Sequence, residues 1–114
     1  MLIKRKNTHL KTNSATCQVR EYDFTNHLLG VAIAYINGRY PEQGQATNNK
    51  CTEIYLVLSG TGVIHTQNQV HPIKSGDAFL FKPKTRYWVE GKKLEIVVST
   101  SPAWSSQQYK ISTD

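Results

Sequence analysis

Glu53 heads the apolar run Ile54-Tyr55-Leu56-Val57-Leu58, which sets a carboxylate among hydrophobic neighbours. Side chains alternate across a strand, so Glu53, Tyr55 and Val57 share one face. Tyr87, in the later run Tyr87-Trp88-Val89, points to the same interior, and Trp88 then faces the other side of its strand. A buried carboxylate needs a cation, a hydrogen-bonding ligand or a raised pKa, and perturbed groups gather at functional sites. A salt bridge to Arg39 or Arg86 would satisfy Glu53 without any function. Tyr55 and Tyr87 serve equally well as core residues whose hydroxyls find a partner. Together the three residues describe an aromatic-walled cavity with one carboxylate, the composition of a pocket for a small organic ligand. Glutamate and tyrosine can also move protons when their pKa values are tuned, so Glu53 and Tyr87 are an acid–base pair in an enzymatic reading.

Arg39, in Gly38-Arg39-Tyr40-Pro41-Glu42, could hold a carboxylate or phosphate bidentately, although an exposed loop arginine is the commoner finding. Of the four histidines, His65 lies in the strand-like Val63-Ile64-His65-Thr66, whose phase relative to the interior is open. His71 precedes Pro72 at a turn, and His9 and His27 lie outside the central strands. A satisfied or exposed histidine is the ordinary reading for each. Cys17 and Cys51 are far apart with no CxxC spacing, which excludes a zinc ribbon and leaves two reduced thiols.

The elements that position these residues read as short strands. The first dozen residues are polar and basic, and residues 1–18 form an arm or edge strand. Val19 to Phe24 alternates, and Leu28 to Ile36 is an apolar run whose Gly30 and β-branched residues favour a strand over a buried helix. Asn37-Gly38 signals a turn, and residues 37–52, rich in Gly, Pro and Asn, form a loop. Ser59-Gly60-Thr61-Gly62 turns the Glu53 strand into a hairpin, Gln67-Asn68-Gln69 turns again, and Ser75-Gly76-Asp77 leads into Ala78-Phe79-Leu80-Phe81. Glu90-Gly91-Lys92-Lys93 turns Tyr87-Trp88-Val89 into Leu94 to Val98. Residues 105–114 form a tail that caps the barrel or frays. Short strands spaced by turn residues, with no substantial helix, predict an all-β sandwich or barrel.

Between about residues 30 and 100 the chain resembles the cupins, small jelly-roll barrels (double-stranded β-helices) with two motifs separated by a hairpin. In the first, two histidines one residue apart precede a glutamate, and a glycine closes it; Glu53 and Gly60 have that final spacing. In the second, Gly-Asp leads through an apolar strand to a proline and then a histidine, and Gly76-Asp77-Ala78-Phe79-Leu80-Phe81 followed by Lys82-Pro83 fits, with the proline displaced by one. The ending Thr100-Ser101-Pro102-Ala103-Trp104 with Gln107-Gln108 is similar to a subgroup of short cupins. The family's histidine positions fall here on Thr47 and Asn49, or on Ala46 and Asn48, and on Tyr87. Of the three-histidine, one-glutamate metal set that the resemblance implies, only Glu53 remains. Asn, Thr and Tyr are poor ligands for iron, manganese, nickel or zinc, so no metal and no other cofactor is expected. The resemblance also implies a homodimer.

With 114 residues, 39% hydrophobic and 19% charged, the chain fits one globular domain, 1–114. The net charge of +6 would suit an anionic partner, but the basic residues are scattered and no nucleic-acid-binding motif accompanies them, so a nucleic-acid partner is the least favoured of three readings. No apolar stretch approaches the roughly 20 residues that span a bilayer, and Met1-Leu2-Ile3 is too short for a signal-peptide core, which makes the cytoplasm the expected location. The leading expectation is a metal-free small-molecule-binding barrel with Glu53, Tyr55, Tyr87, Asn49, Thr47, Arg39 and His65 as candidate ligand contacts. Its alternative is an isomerase- or dioxygenase-like enzyme that uses Glu53 and Tyr87.

Overall fold

Strands dominate the computed structural model, which describes residues 1–113. In chain order they are β1 (His9–Ser14), β2 (Cys17–Tyr22), β3 (Gly30–Tyr40), β4 (Gln45–Asn48), β5 (Thr52–Thr66), β6 (Gln69–Lys74), β7 (Ala78–Phe81), β8 (Arg86–Ser101) and β9 (Tyr109–Ser112). Helical structure among the described residues is confined to two short 3-10 turns, Arg5–Asn7 and Ser106–Gln108.

The spine is the antiparallel pair β5 and β8, in register from Thr52↔Ser101 to Thr66↔Tyr87. The free edge of β8 takes β3 along Val89–Thr100 and then β4 at Arg86 and Tyr87. The free edge of β5 takes β7 along Glu53–Leu56 and then β6 along Thr61–Thr66. β2 and β1 extend the β3 side, and β9 extends β4. One half of the spine therefore carries β1-β2-β3-β8-β5-β7 and the other β9-β4-β8-β5-β6, and the sheet curls between them so that the inner faces enclose a common core. The all-β barrel expected from the strand pattern is the architecture found.

Where the sheet curls, two expected turns are instead bulges inside long strands. Ser59-Gly60-Thr61-Gly62 stays within β5 and Glu90-Gly91-Lys92-Lys93 within β8, and the two segments face each other at Thr61↔Lys92 and Gly62↔Gly91. The ladder shifts register between Val57 and Ser59 and between Ser59 and Thr61. A bulge and a turn both call for glycine at positive φ, so the same residues signal either. Gly60 sits at φ +78°, and a Cβ there would drive into the Lys93 carbonyl oxygen.

Three other boundaries differ from expectation. The apolar run enters the sheet at Gly30 rather than Leu28, because Asn26 Oδ1 accepts the backbone N–H of Leu28 and Leu29 and holds them in a turn. β3 then continues past Asn37 through a register shift between Ile36 and Gly38, so the expected 37–52 loop contains the end of β3 and all of β4. Residues 109–112, expected to cap the barrel or fray, pair with β4 as an edge strand, and of the two readings of the N-terminal arm β1 supports the edge strand.

The inner faces pack Ala34, Ile36, Tyr55, Val57, Ile64, Phe81, Val89, Leu94 and Ile96 into one buried cluster. Alternation is strict along the first half of β5: Glu53, Tyr55 and Val57 are buried, while Ile54, Leu56 and Leu58 are each about two-fifths exposed.

Candidate functional site

A cavity of about 370 Å³ opens on the inner side of the β1–β2–β3 half, walled also by the start of β5, the end of β8 and the segment around Trp104. Its lining is set by alternation: Cys17 and Val19 from β2, Gly30, Ala32 and Ala34 from β3, and Glu53 and Tyr55 from β5. Small residues on β3 leave the space that Tyr40, Tyr55, Tyr87, Trp104 and Tyr109 surround.

Glu53 is the polar centre of this wall and is only 5% exposed. The Asn48 Nδ2 donates to its Oε1 at 3.4 Å. The other end of that amide is fixed, because Asn48 Oδ1 accepts both Trp104 Nε1–H at 3.1 Å and Gln108 Nε2–H at 2.9 Å. Gln108 is anchored in turn, its Oε1 accepting the backbone N–H groups of Lys50 and Cys51. The turn after β4 and the C-terminal segment thus hold one another and aim an N–H at Glu53. Tyr87 supplies a second hydrogen bond to the carboxyl. The Tyr87 ring is packed by Phe81 at 4.5 Å and edge-on by Tyr55 at 6.5 Å between centroids. Tyr40 and Tyr109 join hydroxyls at 2.6 Å across the cavity wall.

These surroundings explain the electrostatics. Burial pushes the Glu53 carboxyl up from 4.5 to about 7, and the hydrogen bonds from Tyr87 and Asn48 oppose the rise without cancelling it. Among the described residues no cation offsets the burial of Glu53: Arg39 donates to the backbone oxygens of Glu42 and Gly44, and Arg86 reaches the Ser112 hydroxyl. Burial also raises Tyr55 and Tyr87 well above the ordinary phenol value and pushes the Cys17 thiol up to about 12. Near neutral pH the wall therefore presents neutral phenols and a carboxyl that exchanges between both forms. It can donate a hydrogen bond, accept one or transfer a proton.

Of the residues singled out in the sequence, Glu53, Tyr55 and Tyr87 come together on the cavity wall. Thr47 and Asn49 do not line it. The β4 register pairs Ala46 with Tyr87, and alternation turns Ala46 and Asn48 inward, which is the other spacing that the motif permits. Arg39 and His65 lie on the outer face, where the Arg39 guanidinium sits 4.1 Å from the Trp88 ring centroid. His65 stacks on the same ring at 3.6 Å and pairs with Glu90 at 3.1 Å. Trp88 thus faces away from the cavity, as its place beside Tyr87 predicts. The donor set at the family's metal position is the Asn48 amide, the Glu53 carboxyl, a phenol that burial keeps protonated and the Ala46 methyl. One anionic oxygen and no imidazole do not fit a resident transition metal. Among the described residues no three His, Cys, Asp or Glu side chains converge on a common point.

Several residues of the wall, or holding it from behind, carried weaker signals. Asn48 entered as one of two spacings, and Trp104 and Gln108 appeared only through the ending shared with short cupins. Tyr40 lay in a segment noted for its arginine, Thr100 opened the same cupin-like ending, and nothing marked Tyr109.

Residues 30–93 match the family model described as AraC-like ligand binding domain. No curated protein matches the sequence. Among solved structures, Pac13, described as a unique nucleoside dehydratase, superposes with a TM-score of 0.88 at 18% identity, covering 99% of this chain and 91% of that one. A variant of the Streptomyces protein with uridine gives 0.89 at 18% identity, covering 99% and 90%. Ectoine synthase from P. lautus gives 0.75 at 12% identity, covering 98% and 90%, and an RmlC-like cupin from Shewanella frigidimarina gives 0.71 at 15%, covering 90% of each chain. At these identities the likeness establishes a cupin fold.

Proposed function

We propose, from the premise that this chain belongs to the AraC-like ligand binding domain family, that its barrel holds a small neutral organic molecule of the nucleoside type, with Glu53 as its polar anchor. The observation that carries this reading is a carboxyl buried on a cavity wall with two hydrogen-bond donors and, among the described residues, no cation. A cavity of about 370 Å³ falls at the lower end of the range for ligand sites, about 300–1,000 Å³. Aromatic walls suit a planar ring, and the two-form carboxyl suits hydroxyl or N–H groups. The likeness to Pac13, a nucleoside dehydratase described with uridine, supplies the candidate class. Tyr55 and Tyr87 take part in the contacts, whereas Thr47, Asn49, Arg39 and His65 do not.

The test is calorimetric titration of uridine into the protein and its Glu53→Gln variant. Saturable binding that weakens by about tenfold or more in the variant is expected. Absence of binding to the parent protein, or equal binding by both, overturns the reading.

A second reading, catalysis by proton transfer, is favoured by one further observation: the Glu53 carboxyl, pushed up to about 7, is hydrogen-bonded to Tyr87. A base poised near neutral pH suits abstraction and return of a proton in an isomerisation or elimination. Turnover that survives Glu53→Gln would remove this reading. The outer face of the β3–β8–β5–β7 sheet exposes Val31, Ile54, Leu56, Leu58 and Leu80, and we assign it to a homodimer, to be checked by light scattering on the protein and its Leu56→Lys variant. A dimer dissociated by the substitution supports this assignment, and a monomeric parent rejects it. Among the described residues no helix is long and apolar enough to cross a membrane. The two buried free thiols favour a reducing compartment such as the cytoplasm.

A further inference from the structure

Thr100 lies on the inner face of β8, in register with Glu53 of β5 on one side and with Gly30 of β3 on the other. It is 6% exposed, it lines the cavity, and its hydroxyl has no hydrogen-bond partner among the described residues. Buried hydroxyls are almost always paired, because the water they surrender must be replaced. Packing gives no reason for a hydroxyl here. Valine has the same shape, and Val98, two residues earlier on the same strand face, already lines the cavity. The neighbouring strand leaves room for the group: a Cβ on Gly30 would lie 2.8 Å from Thr100 Oγ1.

Directly opposed residues of antiparallel strands hold their Cβ atoms about 4.5–5.5 Å apart. A carboxyl and a hydroxyl set side by side in this way can converge on two neighbouring polar atoms of one molecule. The chemistry of the pair narrows the choice. Burial pushes the Glu53 carboxyl up to about 7, so a partner that can both accept from the acid and donate to the carboxylate suits it near neutral pH. A hydroxyl does both, whereas an ammonium only donates and a carboxylate only accepts. Threonine can either donate or accept, so a hydroxyl satisfies it as well.

We propose that Glu53 and Thr100 form a two-point subsite for a vicinal diol, so that the sugar end of a ribonucleoside, rather than its base, meets this wall. The 3′-hydroxyl bonds the carboxyl and the neighbouring 2′-hydroxyl bonds Thr100 Oγ1. The assignment rests on the reading of the cavity as a nucleoside-type site and adds Thr100 as the residue that distinguishes ribose from deoxyribose.

The experiment compares uridine and 2′-deoxyuridine by calorimetry on the parent protein, Thr100→Val and Thr100→Ser, with melting curves of each protein alone. The parent should prefer uridine by about tenfold or more, since a site built to bond a hydroxyl discriminates against the analogue that lacks it. Thr100→Val should lose the preference while melting no lower than the parent, because it deletes an unpaired hydroxyl without changing shape. Thr100→Ser should keep the preference. Equal affinity of the parent for both nucleosides, or a preference that persists in Thr100→Val, overturns the subsite but leaves the cavity reading standing. Failure of both nucleosides to bind the parent overturns the cavity reading and the subsite with it.

Discussion

Replacing Glu53 by glutamine should make the protein more stable at alkaline pH and leave it nearly unchanged at acid pH, once a constant offset is removed. Glutamine keeps the size of the side chain and removes its titration. In the native protein the carboxyl binds its proton up to about pH 7, against 4.5 for an unburied group. Because the native pKa is raised, the native state holds this proton more tightly than the unfolded chain. The associated stability is fully present below about pH 4.5, declines between 4.5 and 7, and is gone above 7. At about 1.4 kcal/mol per pH unit, the total is about 3 kcal/mol. Glutamine must still accept from Asn48 or Tyr87, and losing one of these bonds shifts its curve by about 1 kcal/mol at every pH. The offset does not alter the shape. Urea unfolding of both proteins from pH 4.5 to 8.5 gives the difference directly, since other titrating groups cancel in the comparison. The stability difference should move by about 3 kcal/mol in favour of glutamine as pH rises through 7. A difference that stays flat across this range would refute the assignment of Glu53 as a desolvated carboxyl with no cationic partner among the described residues.

Other consequences follow from the same contacts. Asn48→Ala removes a hydrogen bond that favours the carboxylate and strands the donors of Trp104 and Gln108, so the Glu53 midpoint should rise and stability fall by about 1–3 kcal/mol, read by NMR titration and urea unfolding. Gly60→Ala forces a Cβ into the Lys93 carbonyl at φ +78°, and it should cost at least about 2 kcal/mol, whereas alanine at Gly76, where no atom lies within 4 Å of the new Cβ, should cost only the strain of its own φ. Cys17, with its thiol pushed up to about 12 and only 3% exposed, should resist a disulfide reagent at pH 8 in the folded protein and react at once in denaturant.

The Glu53 strand was legible because its alternation runs unbroken, and Tyr55 and Tyr87 followed from that phase. The bulges were not, since Ser59-Gly60-Thr61-Gly62 and Glu90-Gly91-Lys92-Lys93 carry turn chemistry and only the pairing of β5 with β8 reveals continuous strands. The same limit misplaced the inward residues of β4. Motif spacing allowed Thr47 and Asn49 or Ala46 and Asn48, and a one-residue slip moves every side chain to the opposite face. Partners distant in sequence were the least visible. Gln108 and Trp104 meet Asn48 only because β9 folds back onto β4, and Thr100 meets Glu53 only through the spine register. His65 drew notice as a candidate ligand, yet its phase on β5 sends it to the outer face against Trp88.

Carbon-13 NMR of the Glu53 carboxyl, followed from pH 4 to 9 with and without saturating uridine, measures the anchor itself. We predict a single titration centred near pH 7 in the free protein and a midpoint displaced by uridine. A midpoint near 4.5 that uridine leaves unmoved would contradict both the desolvated carboxyl and its place in the ligand site.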